Sequence, residues 1–164
     1  MSTLKVVEIG GWAVSNNPEE ILRTYALGSC IALIFHHPGT KTMGLVHIAL
    51  PSPLCHEGKN RGEGYYASSA VPLLLNEVRA AAGLYSAEGS GIVAKLAGGA
   101  AFIKTKNPFH LGERILGEIE QTLHRLRIPV VKQDTGGTVS RTVSLYIGRG
   151  DVTVKYPGTQ EKTL

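Results

Sequence analysis

Short strand-like runs, broken by glycine and proline, outnumber helical stretches along this chain, and no other feature restricts the fold as much. Leu4–Val14 carries Val6, Val7, Ile9, Trp12 and Val14 and reads as one strand with a glycine break. Further strands are expected at Ile21–Tyr25, Ile31–Phe35, Met43–Leu50, Ile92–Leu96 and Pro129–Gln133. Arg141–Ile147 and Val152–Tyr156 alternate apolar and polar residues around Gly148-Arg149-Gly150-Asp151, as a β-hairpin would. Helical spacing is found in two segments. Tyr65–Ala82 places Tyr66, Ala70, Leu73, Leu74, Val78 and Ala81 at that spacing, with Pro72 expected to kink it or mark its start and Gly83 to stop it. Glu113–Leu126 carries an apolar stripe of Ile115, Leu116, Ile119, Leu123 and Leu126. Two such stripes must be buried against a sheet. The expected fold is therefore α/β (α+β): a layered sandwich with a mixed β-sheet covered by two main helices, and residues 1–164 forming a single domain.

Composition excludes several classes of function. The formal charge is +4, but Lys and Arg are scattered rather than blocked. With 6% aromatic residues and no basic–aromatic interleaving, no nucleic-acid partner is expected. The apolar runs are far too short to span a bilayer, so no membrane insertion is expected. No apolar leader is apparent, and the two cysteines, Cys30 and Cys55, read as free thiols of a reducing, cytoplasmic compartment. Neither a P-loop nor a Gly-x-Gly-x-x-Gly fingerprint occurs, so no nucleotide cofactor is expected. A metal site would have to draw on Cys30, His47, Cys55 and His56. The adjacent Cys55 and His56 would rarely both reach one ion, so no metal is expected either.

The chemistry is carried by a thiol and an imidazole. A hairpin centred between Pro38 and Gly39 would set Cys30 directly opposite His47 on neighbouring antiparallel strands. Opposite Cβ atoms lie about 4.5–5.5 Å apart, within reach for proton exchange. A thiol near its reference pKa of about 8.5 is mostly protonated at neutral pH and needs a base to become a nucleophile. Gly28 and Ser29 precede Cys30 without bulk, leaving room for a substrate, and the Cys30 N–H could face an oxyanion. Thr24 is a candidate for orienting the imidazole. The same letters also describe a buried cysteine and a core histidine. Gly98-Gly99 and Gly136-Gly137 read first as tight turns needing positive φ, with the lining of a groove as the alternative.

Four elements occur in a characteristic order: Thr24-Tyr-Ala-Leu-Gly-Ser-Cys30, Gly44-Leu-Val-His47-Ile-Ala-Leu-Pro51, Lys95-Leu-Ala-Gly-Gly-Ala100, and Asp134-Thr-Gly-Gly137 followed by Arg141. Together they resemble the chemoreceptor glutamine deamidase family (CheD) over nearly the whole chain. The resemblance implies a layered cysteine-hydrolase fold similar to deamidating toxins, and a Cys–His–Thr catalytic set at Cys30, His47 and Thr24. It implies hydrolysis of glutamine side-chain amides on chemoreceptor cytoplasmic domains to glutamate. It also implies a partner, the CheC-type phosphatase of the chemotaxis response regulator. Where the family commonly shows Tyr-Ala-Asp, this chain has Tyr66-Ala67-Ser68. The competing expectation is a non-enzymatic docking module that binds a chemotaxis phosphatase or a receptor.

Overall fold

The computed structural model describes residues 1–53, 61–85, 91–101 and 110–164. Cys55 and His56, weighed above as metal ligands, lie outside the described residues. Among the described residues are ten strands and two α-helices: β1 (Thr3–Val6), β2 (Trp12–Ser15), β3 (Glu20–Leu27), β4 (Ile31–His37), β5 (Thr42–Ile48), α1 (Ala67–Ala82), β6 (Val93–Gly98), α2 (Leu111–Arg125), β7 (Val130–Thr135), β8 (Arg141–Tyr146), β9 (Asp151–Lys155) and β10 (Lys162–Thr163). They form two five-stranded sheets, ordered β1-β3-β8-β9-β10 and β2-β5-β4-β6-β7. Both are mixed: β1 runs parallel to β3, and β6 parallel to β7.

Alternation along the strands decides the layering. On β4, Ile31, Leu33 and Phe35 face the helices, joining Val71, Leu74 and Val78 of α1 and Ile115, Ile119 and Leu123 of α2 in one core. The intervening Ala32 and Ile34 face the other sheet, where they pack with Leu22, Leu45, Val143 and Val154 in a second core. A strand apolar on both faces must be covered twice, which explains the continuous Ile31–Phe35 run. The order of layers is helices, sheet, sheet. The expected mixed sheet under two helices is present, and the second sheet is an addition to it.

Several expectations change in detail. Leu4–Val14 is two strands in different sheets, because Gly10 takes φ +75° and the chain crosses from one layer to the other there. Helix α1 starts at Ala67 and runs through Pro72, which is solvent-exposed in its second turn. Gly83 ends it in the left-handed region, its N–H donating back to Ala80.

The β4–β5 register also differs. Pro38–Thr40 forms a 3-10 turn that Lys41 closes with φ +54°, so the four-residue loop is 38–41 and its centre moves by one residue. Ala32, not Cys30, lies opposite His47. A displacement of two residues preserves the face. Cys30, just before β4, therefore occupies the diagonal position on the same side of the sheet as His47.

Candidate active site

The seam between the sheets joins two of the residues named from the sequence, Thr24 and His47, and Cys30 lies on the same side of the sheet as His47. His47 lies on β5, on the face shared with Met43 and Leu45, and is 4% exposed. Thr24 comes from β3 in the opposing sheet and is fully buried. A bulge follows it: Ala26 takes φ +55°, and the β3–β8 register shifts between Thr24 and Leu27. The extra residue lets Thr24 and Leu27 both point inward, a use bulges often have beside active sites. Gly28, Ser29 and Cys30 connect β3 to β4, and all three are half-buried.

Hydrogen bonding fixes the state of the imidazole. Thr24 Oγ1 donates to the Val7 carbonyl at 2.7 Å and lies 2.7 Å from His47 Nδ1. A hydroxyl has one proton, and here it is given to a carbonyl that can only accept. Nδ1 must then be the protonated nitrogen, donating to Thr24. Nε2 carries the lone pair, and it is buried with no hydrogen-bond partner among the described residues. The ring is oriented with its basic nitrogen free on the face that Cys30 shares.

The backbone of His47 is held as firmly as its ring. Gly10 N–H donates to the His47 carbonyl at 2.8 Å, and His47 N–H donates to the Gly11 carbonyl at 3.1 Å. Residues 7–11 thus grip His47 through Thr24 and through two main-chain bonds. The segment fits because Gly64 lies against it: a Cβ on Gly64 would stand 2.4 Å from the Gly10 carbonyl oxygen. Cys30 is braced from the other side, its carbonyl accepting from Gly99 N–H at 2.9 Å while the Gly28 carbonyl accepts from Ala100 N–H at 2.8 Å. Gly98 has φ +116°, and a Cβ there would meet the Cys30 carbonyl oxygen at 2.2 Å. Gly98-Gly99 has the positive φ that the first reading expected, and it approaches the thiol loop closely.

Burial sets both groups neutral at rest. It pushes the Cys30 thiol above its ordinary value, opposed by the cysteine's own backbone N–H. It lowers the His47 imidazolium from 6.5 to about 4. The arrangement can move a proton from sulfur to Nε2 as an electrophile is attacked, rather than storing a resting ion pair.

This has a consequence for stability. Unfolded, His47 takes up a proton near pH 6.5, whereas folded it stays neutral down to about 4. Its contribution is full above pH 6.5 and is lost as pH falls from there toward 4. The shift corresponds to about 3 kcal/mol. Denaturant melts at pH 7 and pH 4.5 are expected to show most of this loss in the wild type and to lack it in His47→Gln.

With the geometry in place, comparison with known proteins identifies the lineage. The family described as "CheD chemotactic sensory transduction" matches residues 49–156. The chain belongs to the CheD family. The "Probable chemoreceptor glutamine deamidase CheD" of Syntrophotalea carbinolica is 38% identical over 154 residues, covering 93% of this chain and 94% of that protein. The protein named "Probable chemoreceptor glutamine deamidase CheD 2" from Anaeromyxobacter dehalogenans is 36% identical with the same coverage. A relative from Methanococcus vannielii, carrying the first of these names, is 35% identical over 150 residues, or 91% of this chain and 92% of its own. Among solved structures, the hypothetical protein YfiH of Bacillus licheniformis superposes with a TM-score of 0.47 at 11% identity, over 77% of this chain and 50% of that one, too loose a likeness to argue from. The CheD match begins two residues after His47, so it contains none of Thr24, Cys30 and His47. The pairwise alignments, at 93% of the chain, reach into that stretch.

Proposed function

We propose that this CheD-family chain is a protein-glutamine amidohydrolase that converts glutamine side chains of chemoreceptors to glutamate. The observation that carries the reading is the Thr24–His47 bond, which leaves Nε2 unprotonated and unpartnered on the face Cys30 shares. The relatives' names supply the substrate class.

In this reading Cys30 Sγ attacks the carboxamide carbon as its proton passes to His47 Nε2. The Cys30 N–H steadies the oxyanion. Nε2 returns the proton to the leaving nitrogen, ammonia departs, and a thioester remains. Water then gives a proton to Nε2 and attacks the thioester, and the sulfur leaves and is reprotonated. Glutamine and water become glutamate and ammonia. Gly28 and Ser29 line the approach to the thiol. The whole reaction is held in one domain acting in the cytoplasm, where the receptors' signalling domains lie, and a CheC-type phosphatase is the partner. No helix among the described residues is long and apolar enough to cross a membrane.

The decisive experiment incubates a chemoreceptor cytoplasmic fragment with the protein and maps peptides by mass spectrometry. Each modified glutamine should gain about 1 Da as NH₂ is replaced by OH. No gain, with binding to the fragment retained, would make the chain a docking module instead.

Thr24→Val gives a sharper check on the imidazole. It leaves the Nδ1 proton and the Val7 carbonyl unsatisfied in the seam. The expected fall in kcat is roughly 10- to 100-fold, part of the about 10²–10⁴ that acid–base catalysis supplies. Leaving buried polar groups unpaired should also lower stability by about 1–3 kcal/mol. Thr24→Ser keeps the hydroxyl and should restore most of the rate.

A further inference from the structure

Arg141 opens β8, yet its side chain is 1% exposed. Nη1 donates to Asp134 Oδ1 at 2.7 Å and to the Asp134 carbonyl at 2.5 Å. Nη2 donates to the carbonyls of Gly136 and, at 3.4 Å, Val139. The Tyr156 ring lies 5.3 Å from the guanidinium, and its hydroxyl donates to Asp134 Oδ1 at 2.6 Å. Lys162 Nζ stands 3.6 Å from Asp134 Oδ2. The 134–139 turn is thus wrapped around one cation that joins β7 of one sheet to β8 of the other.

From that turn a ladder of main-chain bonds leads to the thiol. Gly136 N–H donates to the Gly98 carbonyl at 2.9 Å, and Ala101 N–H to the Gly137 carbonyl at 2.9 Å. The 98–101 segment in turn donates to Gly28 and Cys30 through Ala100 and Gly99. Arg141 also pairs directly with Leu27 in the β3–β8 ladder. Both ends of the 27–30 connector are therefore set from one residue. A buried ion pair gives little net stability against well-packed apolar residues of the same volume, because desolvation offsets the attraction. What it supplies is one geometry, since the planar fork accepts few arrangements of its partners.

We propose that the Arg141–Asp134 pair is a positioning device for the nucleophile loop, acting through residues 98–101 to set where Cys30 stands. This rests on the reading of Cys30 as nucleophile. It predicts that loosening the pair misplaces the thiol without unfolding the sheets or weakening substrate binding.

The test uses Asp134→Asn, which keeps an acceptor but removes the charge, and Tyr156→Phe, which removes only the outer hydrogen bond and guards against a variant that fails to fold. Amide exchange at Gly99, Ala100 and Ala101 should accelerate in Asp134→Asn while amides of β4 and β5 keep their protection. Displacements of about 1 Å can cost as much as 10²-fold, so kcat should fall at least about tenfold with KM within about twofold. Tyr156→Phe should move the same quantities in the same direction by less. Unchanged exchange at 99–101, unchanged kcat, or protection lost evenly across β4, β5 and 98–101 would each overturn the proposal. If the wild type deamidates nothing, the functional reading fails by itself. The positioning inference is then decided by alkylation of Cys30 with iodoacetamide, where Asp134→Asn should change the rate at least about threefold and an unchanged rate overturns it.

Discussion

Cys30→Ala is expected to abolish ammonia release from receptor glutamines, a fall of about 10⁴- to 10⁶-fold, the range seen when a covalent catalyst loses its nucleophile. The substitution removes one sulfur from a half-buried position and leaves the main-chain bond between the Cys30 carbonyl and Gly99 in place. Its cost in stability should be about 1 kcal/mol or less. Folding and activity thus separate cleanly: the thermal midpoint should move by no more than about 4 °C while product mass shows no gain. Residual turnover within tenfold of wild type would move the nucleophile elsewhere.

His47→Gln is expected to lower kcat by about 10³- to 10⁴-fold. The amide can still meet Thr24 Oγ1, so the seam stays filled, but it cannot take a proton from sulfur. Because the thiol is held protonated by burial, little thiolate exists to react without a base. The Cys30→Ala/His47→Gln double variant should be no slower than Cys30→Ala alone, since groups that act as a unit lose their effect together. Two residues contributing independently would instead multiply their losses, and measured additivity would refute the pairing.

The strands were legible because alternation leaves a mark in the letters. Ile31–Phe35 is apolar at every position, and the structure covers it on both faces. The number of sheets was not legible. Leu4–Val14 keeps apolar residues through Gly10-Gly11, so a change of layer looks the same as a break within one strand. The hairpin register was missed for a related reason: Lys41 adopts a left-handed conformation that lysine does not advertise. The error of two residues left the face correct, which is why Cys30 and His47 could be associated before their true offset was known. Thr24 could be named, but its second partner is the Val7 carbonyl, and a main-chain oxygen has no letter. Gly10, Gly11 and Gly64 carried a signal in their lack of side chains, yet nothing tied them to His47. Arg141 could be placed at a strand start and in the family motif after Gly137, but its burial comes from the wrapping of the 134–139 turn, which has no mark in the letters.

The hydrogen bond from His47 Nδ1 to Thr24 joins residues of two different sheets, and Cys30 stands in the connector that leads from the sheet of Thr24 into that of His47. The chemistry is therefore clasped across a joint rather than mounted on one plate. A slip of the plates by a fraction of an ångström lengthens that clasp and frees the ring to rotate, while every strand ladder on either side survives. Catalysis should then fail at lower pressure or denaturant than the β-sheet signal does, and turnover becomes a gauge of how tightly the two plates are shut.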